Sequence, residues 1–409
     1  MRRWSNQTRF VPMMILLLGG AGALSQQPLT PLTQQLATPP AQQPATPATQ
    51  QTATPSTQQP ATPPGRQPMT PSAQGPASQM LHKRVGPPSR TINLDVLVKQ
   101  KSGQPVTGLK AADFTLLIDK KPEKITSFEE ISAKDHPVEA IVLIDSINTD
   151  YDVVSQVRQQ LDQFLHANGG KLPLPTALAV LTSRGVKMQG SYSTDGNLLD
   201  AALSKYTIGL REIRRSAGMV GYAERLEDSQ NAMRLLATYE LNRPGRKIIL
   251  WISSGWRLLS GPEVQLSYDQ LVSVFNAVTW LSSRLRQGQV TVYCLDPLGV
   301  EEPIQEVFYY QQFLAGVKNP GSVQLGNLGL QVIATQTGGL VLNSPDIAQL
   351  LTQCMAENMD YYRISFEPPP SKGRDRYKGV DLGEFHSLKV LVAQPDATVG
   401  TSTGYYLRP

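Results

Sequence analysis

The residues best placed to do chemistry stand at the ends of apolar runs. Ala140-Ile141-Val142-Leu143-Ile144 ends in Asp145-Ser146-Ile147-Asn148-Thr149-Asp150. Lys247-Ile248-Ile249-Leu250-Trp251-Ile252 ends in Ser253-Ser254-Gly255, and the run from Val290 to Leu295 ends in Asp296-Pro297. An unbroken apolar run of this length reads as a strand buried on both faces of a parallel sheet. In such sheets ligands sit in the crevice beyond the carboxyl ends of the strands. Asp145, Ile147, Asn148, Thr149, Ser253, Ser254 and Asp296 are therefore the candidate binding residues. An acid after the first strand also marks hydrolases and phosphoryl-transfer folds, in which Asp145 would carry the reaction. No GxSxG elbow, P-loop, GxGxxG or DxD pair accompanies it, so a catalytic set is missing and the expectation is a protein that is not an enzyme.

The remaining reactive side chains are few. Four scattered histidines (His82, His136, His166, His386) exclude HExxH-type metal motifs. Two cysteines sixty positions apart exclude a disulfide-rich scaffold and any CxxC site. Cys294 falls in a buried strand and Cys354 on the buried stripe of a helix. They form either a disulfide closing a long loop or two inert buried thiols.

The elements that must position these residues follow from periodicity. Alternation from Thr91 to Val98, then Phe114–Ile118 and Ile125–Ile131, gives three antiparallel strands, too thin a unit to stand alone. From Pro137 buried strands alternate with helices. Val153, Val157, Leu161 and Phe164 mark the first helix, Leu198–Tyr206 and Glu224–Tyr239 the next two, and Tyr268–Arg286 a long amphipathic one. Ser344-Pro345-Asp346 opens a last helix running to about Tyr361. Such alternation implies a doubly wound, mostly parallel α/β sheet. Alternation resumes in Arg363–Glu367, Ser387–Ala393 and Thr398–Leu407. Each end alone has too few strands, so the two are expected to form one small antiparallel β-sandwich, residues 89–136 and 363–409, with the α/β domain of 137–362 inserted between them. Tyr309-Tyr310, Tyr361-Tyr362 and the basic cluster Arg211-Glu212-Ile213-Arg214-Arg215 read as packed aromatics and a solvated face.

Ahead of this body the composition changes. Arg2, Arg3 and Arg9 precede an apolar run from Val11 to Leu18 and the small residues Gly19-Gly20-Ala21-Gly22-Ala23, which read as a cleavable signal peptide over 1–25. The run is too short to span a bilayer, and no later segment reads as a transmembrane helix. Residues 26–88 hold 15 of the 32 prolines, with Ala-Thr-Pro repeats, and read as a disordered, extended spacer. All 33 acidic residues lie at or after Asp95, whereas seven of the 38 basic ones precede it. The body is thus near neutral, which argues against a nucleic-acid-binding face. Export implies a periplasmic, cell-surface or extracellular location.

From about Asn93 to Leu407 the chain resembles the von Willebrand factor A-related family of secreted, acidobacterial-type bacterial proteins. The resemblance rests on Val106-Thr107-Gly108-Leu109 with Asp113-Phe114, Leu143-Ile144-Asp145-Ser146-Ile147-Asn148-Thr149, Arg243-Pro244-Gly245-Arg246-Lys247 leading to Trp251-Ile252-Ser253-Ser254-Gly255, Val292-Tyr293-Cys294-Leu295-Asp296-Pro297, Thr337-Gly338-Gly339 and Tyr361-Tyr362. It implies a Rossmann-like von Willebrand A fold that binds proteins, with or without a divalent cation. It also implies a metal-ion-dependent adhesion site in which Asp145 is the first ligand and Thr149 replaces a serine. Ile147 stands where a second serine is usual, and Ser254 where an acid is usual. With two ligands lost the site is degenerate, so no resident cofactor beyond weakly held Mg²⁺ is expected. The resemblance points to a secreted or envelope-associated module for protein–protein interaction or adhesion, its partner unidentified. The alternatives are a structural component of the cell envelope and, last, a hydrolase using Asp145.

Overall fold

The computed structural model describes residues 91–407 except 133, 137, 150, 183–184, 189–190, 207–217, 254–266, 298–316, 324–332 and 372–375. The chain divides into two units, Met1–Leu81 and His82–Pro409. All described residues belong to the second. The signal-peptide and spacer readings, Tyr309-Tyr310 and the 211–215 cluster lie outside them.

Four strands come first: β1 (Ile92–Lys99), β2 (Phe114–Ile118), β3 (Lys121–Glu123) and β4 (Ser127–Ser132). An α/β stretch follows. It contains β5 (Glu139–Asp145), α1 (Tyr151–His166), β6 (Lys171–Thr182), β7 (Gly185–Met188), β8 (Ser193–Asp195), α2 (Gly196–Tyr206), α3 (Gly218–Leu241) and β9 (Lys247–Ile252). It continues with α4 (Tyr268–Gln287), β10 (Val290–Asp296), α5 (Ile333–Thr337), β11 (Val341–Asn343) and α6 (Ile347–Glu357). The chain closes with β12 (Asp360–Phe366), β13 (Arg376–Tyr377), β14 (Val380–Asp381), β15 (Glu384–Val392), β16 (Thr398–Gly400) and β17 (Gly404–Leu407).

The central sheet runs β11-β10-β9-β5-β6-β7, with β8 also pairing with β6. Its five strands from β11 to β6 are parallel, and β7 and β8 are antiparallel to β6. Every residue of β9 and β10 is buried, because both faces are covered. Ile141, Leu143, Ile249, Trp251, Val292 and Cys294 pack against α3, α4 and α5. Val142, Ile144, Leu250, Ile252, Tyr293 and Leu295 pack against α1, α2 and α6. Strict period-two alternation between two apolar layers is what an uninterrupted hydrophobic strand encodes. Each such side chain contributes about 1.5–3 kcal/mol. The chain steps from β5 to β6 in one direction and then reaches β9 on the other side of β5. The direction of winding thus reverses between β5 and β9, the topological switch point where open α/β sheets part at their carboxyl ends.

Besides the β13-β14 pair, the flanking strands form two four-stranded sheets, β16-β1-β12-β4 and β17-β15-β2-β3, closed over one apolar cluster that includes Leu94, Val96, Leu116, Ile364 and Phe366. Antiparallel pairing of β1 with β12, β4 with β12 and β2 with β15 joins the two ends of the body across the α/β stretch.

Three readings need correction. The expected single strand Thr398–Leu407 is two strands in different sheets. The chain changes sheet at 401–403, where Thr401 Oγ1 donates to the Asp95 carbonyl at 2.9 Å and the Thr403 amide to Thr335 at 3.1 Å. Gly404 permits the change, since a Cβ there would lie 2.4 Å from the Phe385 ring. The last helix stops at Glu357 rather than near Tyr361, and its N-cap is Asp346, which accepts from the Gln349 amide. The stop is set by Asn358, whose amide donates to Tyr293 Oη at 3.0 Å and the Cys354 carbonyl at 2.7 Å. Tyr361 and Tyr362, buried, belong to β12.

Polar groups join the layers at the other end of the sheet. Arg246, buried, donates to Asn358 Oδ1 at 2.7 Å, approaches Asp95 of β1 at 3.3 Å and lies over the Tyr361 ring. Lys99 pairs with Glu357. Lys247 is fully buried, and its ammonium donates to the carbonyls of Glu240, Arg243 and Gly288. It thereby satisfies carbonyls at the carboxyl ends of α3 and α4, where a cation is favoured. Burial lowers its pKa, opposed by Glu240.

Two outcomes follow. Lys247→Met takes the ammonium donor from three carbonyls, of which that of Glu240 keeps the Arg243 amide, and should lower the urea-unfolding free energy by about 2–4 kcal/mol. At the sandwich edge Asp119 accepts from the Ser387 amide at 2.9 Å and meets His386 Nδ1 at 2.7 Å. Partial burial raises its pKa, but these contacts prevail and hold it below its ordinary value of 3.8. A carboxylate with a depressed folded pKa stabilises above its unfolded value, and that contribution is lost as pH falls through the folded one. Melting curves of the parent and Asp119→Asn should therefore differ above pH 3.8 and converge in stronger acid.

Candidate functional site

Asp145 ends β5 and Ser253 follows β9, the two strands that flank the switch point. Their register, Leu143 beside Trp251 and Ile144 beside Ile252, brings Asp145 next to Ser253. By alternation Asp145 and Trp251 turn to the same face, the one covered by α3, α4 and α5. The Ser253 amide continues the β9–β10 ladder by donating to the Leu295 carbonyl at 3.0 Å, and the Ser146 amide and hydroxyl both donate to the Leu181 carbonyl. The strand ends are therefore held to one another and not splayed.

Within this frame the Asp145 carboxylate is wholly buried and accepts five hydrogen bonds. Oδ1 receives the Ile147 and Asn148 amides, each at 3.0 Å. Oδ2 receives Asn148 Nδ2 at 2.8 Å, Trp251 Nε1 at 3.1 Å and Ser253 Oγ at 2.8 Å. Asn148 Nδ2 also reaches Ser229 Oγ of α3 at 2.9 Å, and that hydroxyl donates in turn to the Arg225 carbonyl. Burial pushes the Asp145 carboxyl up from its ordinary value, while the Asn148, Ser253 and Ile147 donors pull it down. A carboxylate offers about four lone-pair directions, so five donors use its accepting capacity in full.

The sequence-predicted residues fall into three groups. Asp145, Asn148 and Ser253 are brought into direct contact, with Asn148 and Ser253 serving as donors. Ile147 and Thr149 are buried in the same turn, and Ile147 is part of the apolar layer beneath α3 and α4. Asp296 ends β10, two strands from β5, and is also buried. Ser254 lies outside the described residues.

The implied divalent cation fails a direct test of fit on the described ligands. Mg²⁺ needs oxygen lone pairs at ~2.0–2.1 Å in near-octahedral order. Those of Asp145 are taken by N–H and O–H groups, whose positive ends point at the place a cation would occupy. Ile147 has no side-chain oxygen and is held in the core. The expected Asp145–Thr149–Ser254 ligand set is thus replaced, on its anionic member, by a cage of protein donors.

Two members of this cage were not visible as site residues in the sequence. Trp251 reads as one more apolar residue of a buried strand, and Ser229 as an unremarkable helix position. The available signal was register: Trp251 precedes Ser253 by two, so both side chains share a face with Asp145.

The cysteine reading also resolves. Cys294 and Cys354 are both free and buried. Cys294 turns to the α3–α4 face and Cys354 to the α1–α6 face, so the sheet stands between them and the Cys294–Cys354 disulfide is not formed. Burial raises both thiols, Cys354 to about 12. A group formed by Asp162, His166 and Asp200 has ligand atoms within 4.8 Å of one another. It includes the carboxyl end of α1, at the opposite end of the sheet, and is exposed to solvent.

Thr337-Gly338-Gly339 supports the fold and not the crevice. Thr337 Oγ1 accepts from the Val292 amide at 2.9 Å, and a Cβ at Gly339 would stand 1.9 Å from the Val292 carbonyl oxygen. Compared with known proteins, the chain matches no family model and has no significant match among curated sequences.

Removing the carboxylate should be severe. Asp145→Ala leaves buried donors on Asn148, Trp251 and Ser253 without their acceptor and should cost on the order of 3–5 kcal/mol. Chemical denaturation monitored by fluorescence reads this directly. A loss below about 1 kcal/mol is incompatible with the cage.

Proposed function

We propose that this chain is an exported binding module of von Willebrand factor A type that recognises another protein without a cation. The α/β arrangement, with parallel strands reversing direction between β5 and β9, supports the fold assignment. The reading is carried by the Asp145 carboxylate, which sits where the fold type gathers its ligands yet is engaged by five protein donors. A carboxylate in that state neither coordinates Mg²⁺ nor attacks a substrate, because both need a free lone pair. Among the described residues no helix is long and apolar enough to cross a membrane. In this reading the apolar leader of 1–25 directs export, and the Pro-rich segment of 26–88 spaces the module from the point where it is held.

The crevice residues then act as a rigid floor, and the partner meets side chains around the module and not a metal. In this reading the leader sends the chain to the periplasm, the cell surface or the exterior.

Crosslinking and affinity capture from the native envelope, in EDTA and in excess Mg²⁺ or Mn²⁺, test the reading. The expected result is capture of the same partner in equal yield under both conditions, and a melting temperature of the purified body that the cations leave unchanged. A cation-dependent rise in melting temperature abolished by Asp145→Ala overturns the cation-free reading. A constituent held at fixed stoichiometry in every fraction assigns a structural role in the envelope instead. Turnover in hydrolase or phosphatase assays, lost in Asp145→Ala, assigns an enzyme.

A further inference from the structure

The flank formed by α3 and α4 carries a combination of side chains that the fold itself does not use. Trp280 of α4 is partly buried, and two guanidinium groups lie over its ring, Arg234 of α3 at 4.9 Å from the ring centre and Arg284, one turn further along α4, at 5.4 Å. Arg284 makes a long contact to Gln287 at 3.4 Å. Neither Arg234 nor Arg284 meets an acidic group among the described residues. Around α3 from Arg234, by about 100°, stands Leu235, 65% exposed, with Tyr239 one turn on and 49% exposed. Thr238, between these positions, turns its hydroxyl back to the Arg234 carbonyl at 2.8 Å and leaves the ridge low.

These features are not what a solvated helix needs. A cationic side chain held over an indole is preorganised, and a planar guanidinium is suited to bind a carboxylate through two parallel hydrogen bonds. Arginine, tryptophan and tyrosine are the residue types that dominate binding energy at protein interfaces. Apart from Glu240, buried near its end, the described acids of α3 lie in its first half, where partial burial, with Glu227 and Glu224 beside it, pushes the Asp228 carboxyl up. The second half of the outer face is left cationic and apolar. Two unpaired guanidiniums on a near-neutral body are too few for a nucleic acid, which is held by an extended basic stripe. The large exposed apolar side chains point to a partner with apolar side chains of its own.

We infer that the α3–α4 flank docks an acidic segment of a protein partner, with carboxylates meeting Arg234 and Arg284 and an apolar side chain settling across Trp280, Leu235 and Tyr239. The inference rests on the protein-binding reading and names the chemistry of the partner and the face it uses. It also moves recognition from the strand ends to the side of the module.

The test uses the full chain and a fluorescently labelled synthetic peptide of alternating glutamate pairs and leucines, with a lysine–leucine peptide as control. The glutamate peptide should bind saturably, more weakly as salt rises. The double variant Arg234→Glu, Arg284→Glu should weaken it by at least about tenfold, and Leu235→Ser with Tyr239→Ser by a smaller factor. Arg234, Leu235 and Tyr239 are exposed, so melting curves of the variants check that the fold is kept. No saturable binding, or equal binding by the charge-reversed variant, overturns the inference. So does preference for phosphatidylserine vesicles or heparin over the peptide, which assigns the flank to a lipid or polysaccharide. In the envelope-capture experiment, a partner retained in full by the double variant sinks the flank while leaving the binding module intact. Absence of any partner for the parent chain sinks the module itself.

Discussion

A fully buried carboxylate determines how this sheet can be used. Taking an isolated carboxylate out of water costs several kcal/mol even after relaxation, so Asp145 persists at the switch point only because its surroundings were built around it. The five donors come from its own turn, from the neighbouring strand β9 and, through Asn148 and Ser229, indirectly from α3. The charge thus fastens the first strand's exit loop, the adjacent strand's end and one covering helix to a common point. A metal ion in the same place would perform the fastening by coordination. Here hydrogen bonds perform it, and position 147 needs no side-chain oxygen, so Ile147 joins the apolar layer.

The opposite end of the sheet solves a related problem with cations. There the carbonyls ending α3 and α4 are buried, and the ammonium of Lys247 is placed among them at the start of β9. One residue earlier, Arg246 turns to the other face and ties the sandwich strand β1 to Asn358, the residue that stops α6. The sequence Arg243-Pro244-Gly245-Arg246-Lys247 therefore serves as a joint. Alternation sends consecutive cations to opposite faces, one to the helix ends and one to the β-sandwich. The central strand β9 is anchored by charge at its start, and at its finish Trp251 and Ser253 donate hydrogen bonds to one.

This arrangement explains what could be read from the residues. The buried strands β5, β9 and β10 and the long helix α4 were legible because their apolar patterns record two packed layers, and that pattern is local. That the two ends form one antiparallel module followed from a counting argument, since neither end had enough strands alone, but which strands pair was not legible. The break between β16 and β17 was not legible: both halves alternate, and only the close approach of Gly404 to the Phe385 ring reveals the change of sheet. The end of α6 was missed for a similar reason, because the side chain that stops it is satisfied by Tyr293, on another strand. At the strand ends, the identities of Asp145, Asn148 and Ser253 were visible, but their use was not. Whether an oxygen is offered to a ligand or consumed by a neighbour depends on contacts between residues about a hundred positions apart.

The same distinction separates the crevice from the flank. Around the switch point Asp145, Ser146, Thr149 and Ser253 are buried, Asn148 is half-buried and Asp145 has its full complement of donors, so a ligand arriving there would have to break hydrogen bonds in order to make new ones. Net gain from such an exchange is small, because each bond formed is offset by one lost. On the α3–α4 face the balance runs the other way. Arg234 and Arg284 already lie against Trp280, so part of the entropy of fixing them is spent in folding, and the carboxylate they lack is absent from the described chain. Binding energy is available where a group is ordered and still incompletely satisfied, and by that criterion the side of this module, and not its mouth, is the surface with affinity to give.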